Sequence, residues 1–354
     1  MEAEFNVGGV VQDNEHGTSE HGHTASISIC SLGPKTPPIR LGLAKAKPTI
    51  HCLPSAMRIR IDNEWGALKR VIVGRGDDMG KTATVDTAFD PTSYSHLLGG
   101  TYPDAPDVAV QLRQLADVLV DCGVDVQHPR GIPELEQVFA RDVGVVVEDR
   151  FFRSVMIGER QREWDGLTHL LDGLDIDVIP DHARMEGGDV LVLGDALVVG
   201  VTRDSELVRL KTARTNQEAL DFLRSEFPNR EVLGVELHKD DRNPMKCALH
   251  LDCAFMPLGK GEAIVCPDAF IHDDQLNRLM ARFSHVIEIS LTEAALLQSN
   301  LLHIDPNTLL IDPRFTRVSD ILKQRGYRLI NVPMHHTGKM GGLFRCTTLP
   351  LLRD

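Results

Sequence analysis

Residues 188–200 read GDVLVLGDALVVG. Two short Val/Leu runs flank Gly194-Asp195, so the stretch predicts two apolar strands joined by a tight turn. Residues 216–227, NQEALDFLRSEF, follow with Leu220, Leu223 and Phe227 at helical spacing, which predicts an amphipathic helix. A further apolar run, EVLGVEL at 231–237, completes the unit as a third strand.

The same order of strand, turn, strand, helix, strand recurs, giving five units about 45 to 60 residues apart. The first has LKRVIVGR (68–75), a helix around 108–123 and VDVQHP (124–129). The second has DVGVVVEDRFF (142–152), a helix expected around WDGLTHLLDGL (164–174) and DIDVIP (175–180). The fourth has CAFMPLGKGEAIVCP (253–267), a helix over 273–283 and HVIEIS (285–290). The fifth has NLLHIDPNTLLIDP (300–313), a helix over 317–326 and YRLINVP (327–333). A doubly wound parallel sheet fits less well, because no Gly-rich phosphate loop follows a strand and each unit carries a strand pair, not one strand per helix. The pattern predicts an α/β ring of five strand–strand–helix–strand modules. The final CTTLPLLRD (346–354) then belongs to the first module as a strand supplied from the far end of the sequence.

Composition narrows the partners. Hydrophobic residues at 42% and charged residues at 25% allow a substantial core. A net charge of −13 and an aromatic content of 5% speak against nucleic acid, anionic membrane or a base-stacking platform. No apolar run has membrane-spanning length. Seven irregularly spaced cysteines predict reduced thiols and a cytoplasmic setting. A small-molecule substrate is expected, and association into homo-oligomers stays open. Residues 1–56, rich in His, Ser, Gly and Pro without periodicity, are expected to form a disordered tail, with one catalytic domain over 57–354.

The residues that lead each module carry the chemistry. The second opens on FARD with Asp142, the third on MEGGD with Glu186 and Asp189, the fourth on HLD with His250 and Asp252, the fifth on Asn300, and the closing strand on Cys346. Taken singly, each has a plainer explanation: a strand-end ion pair, a glycine turn of positive φ, a structural His–Asp pair, a buried apolar thiol. At matched positions in a ring they converge on one pocket. His250 and Asp252, two apart in an expected strand, would share a face. By the same alternation His250 points away from Cys247 and Cys253, and no second cluster exists, so no metal site is expected. A thiol, a histidine and an orienting carboxylate form a cysteine triad. The surplus aspartates select a planar cation, since carboxylate and guanidinium match as a fork. The substrate so inferred is a guanidine compound attacked at its central carbon.

With these residues in place, the chain resembles the guanidine-modifying enzymes of the pentein fold: arginine deiminase, dimethylarginine hydrolase and the glycine and inosamine-phosphate amidinotransferases. NEWGALKRVIVGR, FARD, EGGD, HLDCAFMPLGKG and GGLFRC match that superfamily's motifs in order, from about residue 57 onward. The resemblance implies a five-bladed α/β propeller and a covalent amidino-cysteine intermediate, with no cofactor. It implies Cys346 as nucleophile, His250 as acid/base and Glu186 as its orienting carboxylate. It implies Asp142 and Asp252 as guanidinium grips, with Asp189 and Asn300 beside them on the substrate. NEW resembles the transferases, whereas the glutamate of EGGD and the ending RCTTLPLLRD resemble the deiminases. A hydrolase of arginine or a close relative is the favoured expectation; an amidinotransferase is the alternative, and a non-catalytic guanidine-binding protein a third class. Asp252 stands where dimethylarginine hydrolases resemble a lysine, which weakens methylated arginine as substrate. Leu343 replaces a usual glycine, and Arg345, Arg214 and Arg184 are candidate partners for a substrate carboxylate.

Overall fold

The computed structural model describes residues 57–354, and the tail expected over 1–56 lies outside them. The strands form five three-stranded sheets. In the second sheet β3 (Gly144–Val147) pairs antiparallel with β4 (Arg150–Arg153), which pairs parallel with β5 (Ile176–Val178). β6 (Val190–Val192), β7 (Ala196–Val201) and β8 (Glu231–Glu236) repeat this order, as do β9 (Phe255–Leu258), β10 (Glu262–Val265) and β11 (His285–Glu288). β12 (Leu302–Asp305), β13 (Thr308–Ile311) and β14 (Arg328–Asn331) form the last of these.

The remaining sheet draws on both ends of the described chain. β1 (Leu68–Val73) pairs parallel with β2 (Asp125–Gln127) and antiparallel with β15 (Thr348–Arg353). β1 is therefore the middle strand of its module, and β15 takes the place that β3, β6, β9 and β12 hold in theirs. The strand expected from the far end of the sequence is present in the first module.

Burial explains the composition of the strands. Every residue of β3, β6, β7, β9, β10 and β13 is buried, which is why these read as apolar runs, polar only at Glu262 and Thr308, and not as alternation. The third strands β2, β5, β11 and β14 are partly exposed and correspondingly more polar. Helices Ala105–Asp121, Gln217–Glu226, Asp273–Met280 and Thr316–Gln324 connect middle to third strands, as parallel pairing requires. In Gln217–Glu226 the Asn216 side chain accepts the Ala219 amide as N-cap, and Leu220, Leu223 and the following Phe227 are buried. Each such side chain contributes about 1.5–3 kcal/mol relative to exposure.

The helix expected over 164–174 is a correction. The segment forms 3-10 turns, Gly158–Gly166 and Thr168–Leu170. Gly166 is held against the preceding loop: its carbonyl accepts the Arg130 amide at 2.8 Å in place of an amide four residues on, and a Cβ there would fall 2.9 Å from the Arg130 carbonyl. Among the described residues no helix is long and apolar enough to cross a membrane.

Candidate active site

Short turns precede the first strands of the sheets, and they assemble the site. Ala140–Val143, Gly187–Asp189 and Leu251–Cys253 are single 3-10 turns leading into β3, β6 and β9. Asn300 precedes β12, and a turn closed by Thr347 N–H to the Leu343 carbonyl (3.0 Å) presents Cys346 ahead of β15. The glycines of EGGD serve close approach and not positive φ, neither being among the positive-φ glycines. A Cβ on Gly187 would lie 2.2 Å from the Arg141 carbonyl; one on Gly188 would lie 2.7 Å from His250 Nδ1 and 2.8 Å from Asp142 Oδ1. Likewise a Cβ on Gly342 would strike Phe139 at 2.3 Å and Cys346 Cβ at 2.7 Å. Leu343 turns into the core beside Gly338 and is fully buried.

Two linked groups of side chains result. In the first, His250 Nε2 meets Glu186 Oε2 at 2.8 Å, and His250 Nδ1 lies 3.6 Å from Asp142 Oδ1. In the second, Cys346 Sγ accepts from Asn300 Nδ2 at 3.1 Å and sits 3.9 and 3.8 Å from the two Asp252 carboxylate oxygens. All six residues are buried, Cys346 being 3% exposed.

Buried arginines hold the carboxylates. Arg214 donates to Glu186 Oε2 at 2.7 Å, Arg160 to Asp142 Oδ2 at 2.7 Å, and Arg345 to Asp252 Oδ2 at 2.8 Å. Arg160 also forks onto Glu163 at 2.7 and 2.9 Å, and Arg345 onto Glu64 at 3.0 and 3.3 Å. Burial alone would raise the Glu186 pKa, but Arg214, the His250 hydrogen bond and Arg160 outweigh it and hold the group ionised. Burial would lower His250; the Asp142, Asp189 and Glu186 carboxylates outweigh that and raise it above its usual value. At Cys346 the neighbouring Cys253 thiol favours the thiolate, yet burial and the Asp252 and Asp142 charges raise the thiol overall.

The strand expected at His250 is corrected, and the other expected residues take these places. His250 and Asp252 lie on a 3-10 turn and not a strand, so strand alternation does not apply, and Cys253 faces the site beside Asp252 and Cys346. Asp189, expected on the substrate, accepts the Leu251 amide at 2.9 Å and supports the His250 turn from behind. Asn300, also expected on the substrate, is engaged with the cysteine. Arg345 and Arg214 are committed to buried ion pairs, leaving half-buried Arg184 outside them. Among the described residues two groups have ligand atoms within 4.8 Å of one another, Asp142–Glu186–His250 and Asp252–Cys253–Cys346. Each carboxylate in them is paired with a buried guanidinium group, through Arg160, Arg214 or Arg345.

Sequence reasoning missed Arg160, Glu163 and Glu64. The i,i+3 spacing of Arg160 and Glu163 and the acidic residue of NEW were their only marks.

The chain is similar to known proteins over most of its length. A family model described as N,N dimethylarginine dimethylhydrolase, eukaryotic, matches residues 107–353. Uncharacterized protein YkgA of Bacillus subtilis is 32% identical over 229 residues, 63% of this chain and 71% of its own length. Inosamine-phosphate amidinotransferase 1 of Streptomyces glaucescens is 25% identical over 83% of this chain and 97% of its own. The solved N-terminal domain of ArgZ, an arginine dihydrolase from cyanobacteria, superposes with a TM-score of 0.66 at 19% identity, over 80% of this chain and 97% of that one; at that identity the likeness speaks to fold alone.

Proposed function

The chain belongs to the eukaryotic-type N,N-dimethylarginine dimethylhydrolase family, within the pentein superfamily of guanidine-modifying enzymes, and on that premise we propose that it is a cysteine-dependent hydrolase of arginine or a close relative. In this reading the five sheets close into a ring, and the turns ahead of their inner strands form one pocket at its axis. The observation that carries the reading is the placement of Cys346 Sγ against Asn300 and Asp252, with the His250–Glu186 pair and Asp142 on the neighbouring turns.

The guanidinium lies between Asp142 and Asp252. Its positive charge offsets the two carboxylates that raise the Cys346 thiol, so bound substrate shifts Cys346 further toward the thiolate. Cys346 sulfur attacks the guanidinium carbon. The carbon–nitrogen bond then breaks, and the departing nitrogen takes a proton from His250, held charged by Glu186. An amidino-cysteine remains. His250, now neutral, deprotonates water; the new hydroxide attacks the same carbon, and the carbon–sulfur bond breaks to regenerate the thiol. Asp189 and Asn300 position the His250 turn and the sulfur.

Asp252 as grip favours a guanidinium whose terminal nitrogens carry N–H groups, because a dimethylated nitrogen has none to donate. That supports arginine over its dimethylated form, despite the family description. Burial of Cys346 favours water as second nucleophile. The second reading, amidinotransfer to an acceptor amine, is favoured by the match to the Streptomyces glaucescens transferase over 97% of that protein.

Product analysis by mass spectrometry tests both. The purified protein is incubated with arginine and, separately, N,N-dimethylarginine, with and without glycine and other amines. Citrulline and ammonia from arginine alone support the hydrolase. Ornithine formed only with an amidinated acceptor supports the transferase. No turnover and no amidine adduct on Cys346 would overturn the guanidine reading.

A further inference from the structure

The mechanism leaves one thiol in the site unused. Cys253 follows Asp252 directly, is 5% exposed, and donates to Asp252 Oδ1 at 3.5 Å. Its sulfur, the Cys346 sulfur and an Asp252 oxygen all lie within 4.8 Å of one another, and both cysteines are free. A disulfide needs a closing movement of about 3 Å or less from that separation, within reach of side-chain rotation. Cys253 also lines a cavity of about 370 Å³ with Met245, Cys247, Ala248, Leu291 and Ala294. That cavity touches none of Cys346, His250 and Asp142, so it brings a small solute up to the Cys253 side of the thiol pair, away from the guanidinium grips.

We propose that Cys253 is a resolving thiol that converts peroxide damage at Cys346 into a reversible disulfide. Cys346 thiolate attacks one oxygen of the peroxide; a sulfur–oxygen bond forms, the oxygen–oxygen bond breaks, and hydroxide leaves. Cys253 sulfur, giving up its proton, then attacks Cys346 sulfur. The sulfur–sulfur bond forms, the sulfur–oxygen bond breaks and water departs. Two thiols and one peroxide thus yield one disulfide and two waters. The order of attack follows from hydrogen bonding: Asn300 N–H donates to the Cys346 sulfur, whereas Cys253 S–H is held by the Asp252 carboxylate, so Cys346 ionises before Cys253 does. The effect on turnover rests on Cys346 as nucleophile; the cross-link itself does not.

The test treats the reduced full chain with hydrogen peroxide and maps peptides without reduction. The proposal expects a 253–346 cross-linked peptide two hydrogens lighter than its parts, loss of turnover in step with it, and recovery of both with dithiothreitol. Cys253→Ser keeps a hydrogen-bond donor at the position. It should show no cross-link, accumulate Cys346 carrying two or three oxygens, and stay inactive after dithiothreitol. Over-oxidised Cys346 in the unsubstituted chain without the 253–346 peptide would overturn the proposal. So would cross-linking to half-buried Cys247 in its place, or equal recovery of Cys253→Ser. Because the peptide map needs no turnover, failure here is separable from failure of the guanidine reading.

Discussion

Asn300 holds Cys346 from both sides: its side-chain N–H donates to Sγ at 3.1 Å, while its carbonyl oxygen accepts the Cys346 and Arg345 backbone amides at 3.2 and 3.0 Å. One residue thus fixes the turn and favours the thiolate. Asn300→Ala is expected to lower kcat by about tenfold to a hundredfold, the value of a hydrogen bond to a charged group, with KM changed less. Asn300→Asp should be worse, because it places a carboxylate on the sulfur. Steady-state kinetics on both variants, with circular dichroism to confirm folding, checks this; unchanged kcat in Asn300→Ala would remove Asn300 from the mechanism.

Glu186 keeps His250 charged and oriented. Glu186→Gln retains shape and a hydrogen-bond partner but removes the charge, so kcat should fall by about 10²–10⁴. His250 would lose protons at lower pH, moving the alkaline limb of the kcat profile downward. A pH–rate profile with an unmoved alkaline limb would reassign the acid to another group.

The Glu64–Arg345–Asp252 network is buried at every member. Burial raises the Glu64 pKa, yet Arg345 and Arg141 overcome this and hold it at about 2. Arg345→Met strands two carboxylates and should cost about 3–5 kcal/mol of stability. Combining it with Glu64→Gln should recover part of that loss. Urea titrations of the single and double variants give the coupling directly, and strict additivity would show that the network is not one unit.

His303 is buried in β12, with Nδ1 at 3.0 Å from the Asp305 carbonyl. Burial pushes its pKa down to about 4, against an ordinary value of 6.5. Between those values the unfolded chain binds the extra proton. Its contribution to stability is therefore complete above about pH 6.5 and declines as pH falls toward 4, by about 3 kcal/mol in all. Glu136 and Glu163, each raised to about 7 mainly by burial, titrate in the opposite sense over part of this range. The comparison of unsubstituted chain with His303→Gln isolates the histidine: the variant's denaturation midpoint should fall less steeply between pH 6.5 and 4.5. Parallel slopes would count against a neutral buried imidazole.

The site's primary residues were legible because the hairpin repeat supplies a frame. Once β6–β7 and its relatives are aligned, Asp142, Glu186, Asp252, Asn300 and Cys346 fall ahead of the inner strands without knowledge of any contact. The arginines were not legible in this way. Arg160 and Arg214 lie on the connections that follow β4 and β7, where no periodic pattern marks a direction, and only the tertiary structure aims them inward. Cys253 was misplaced because residues 250–253 lack the length and alternation that separate a strand from a 3-10 turn. The missing helix after β4 has the same root: Gly166 is fixed by the distant Gln137 and Arg130, which local sequence does not encode.

The pairing of β1 with β15 has a consequence for synthesis. Glu64 and Arg345, which join beside that pairing, are 281 positions apart. A ribosome exposes β1 long before its partner exists, and an unpaired strand edge invites association with other nascent chains. The contacts that complete the site are thus among the most non-local in the molecule, so their closure entropy is met late and assembly is slow. The thiol arrives in the same stretch as the missing strand, and growing chains carry no reactive centre while their edges are open.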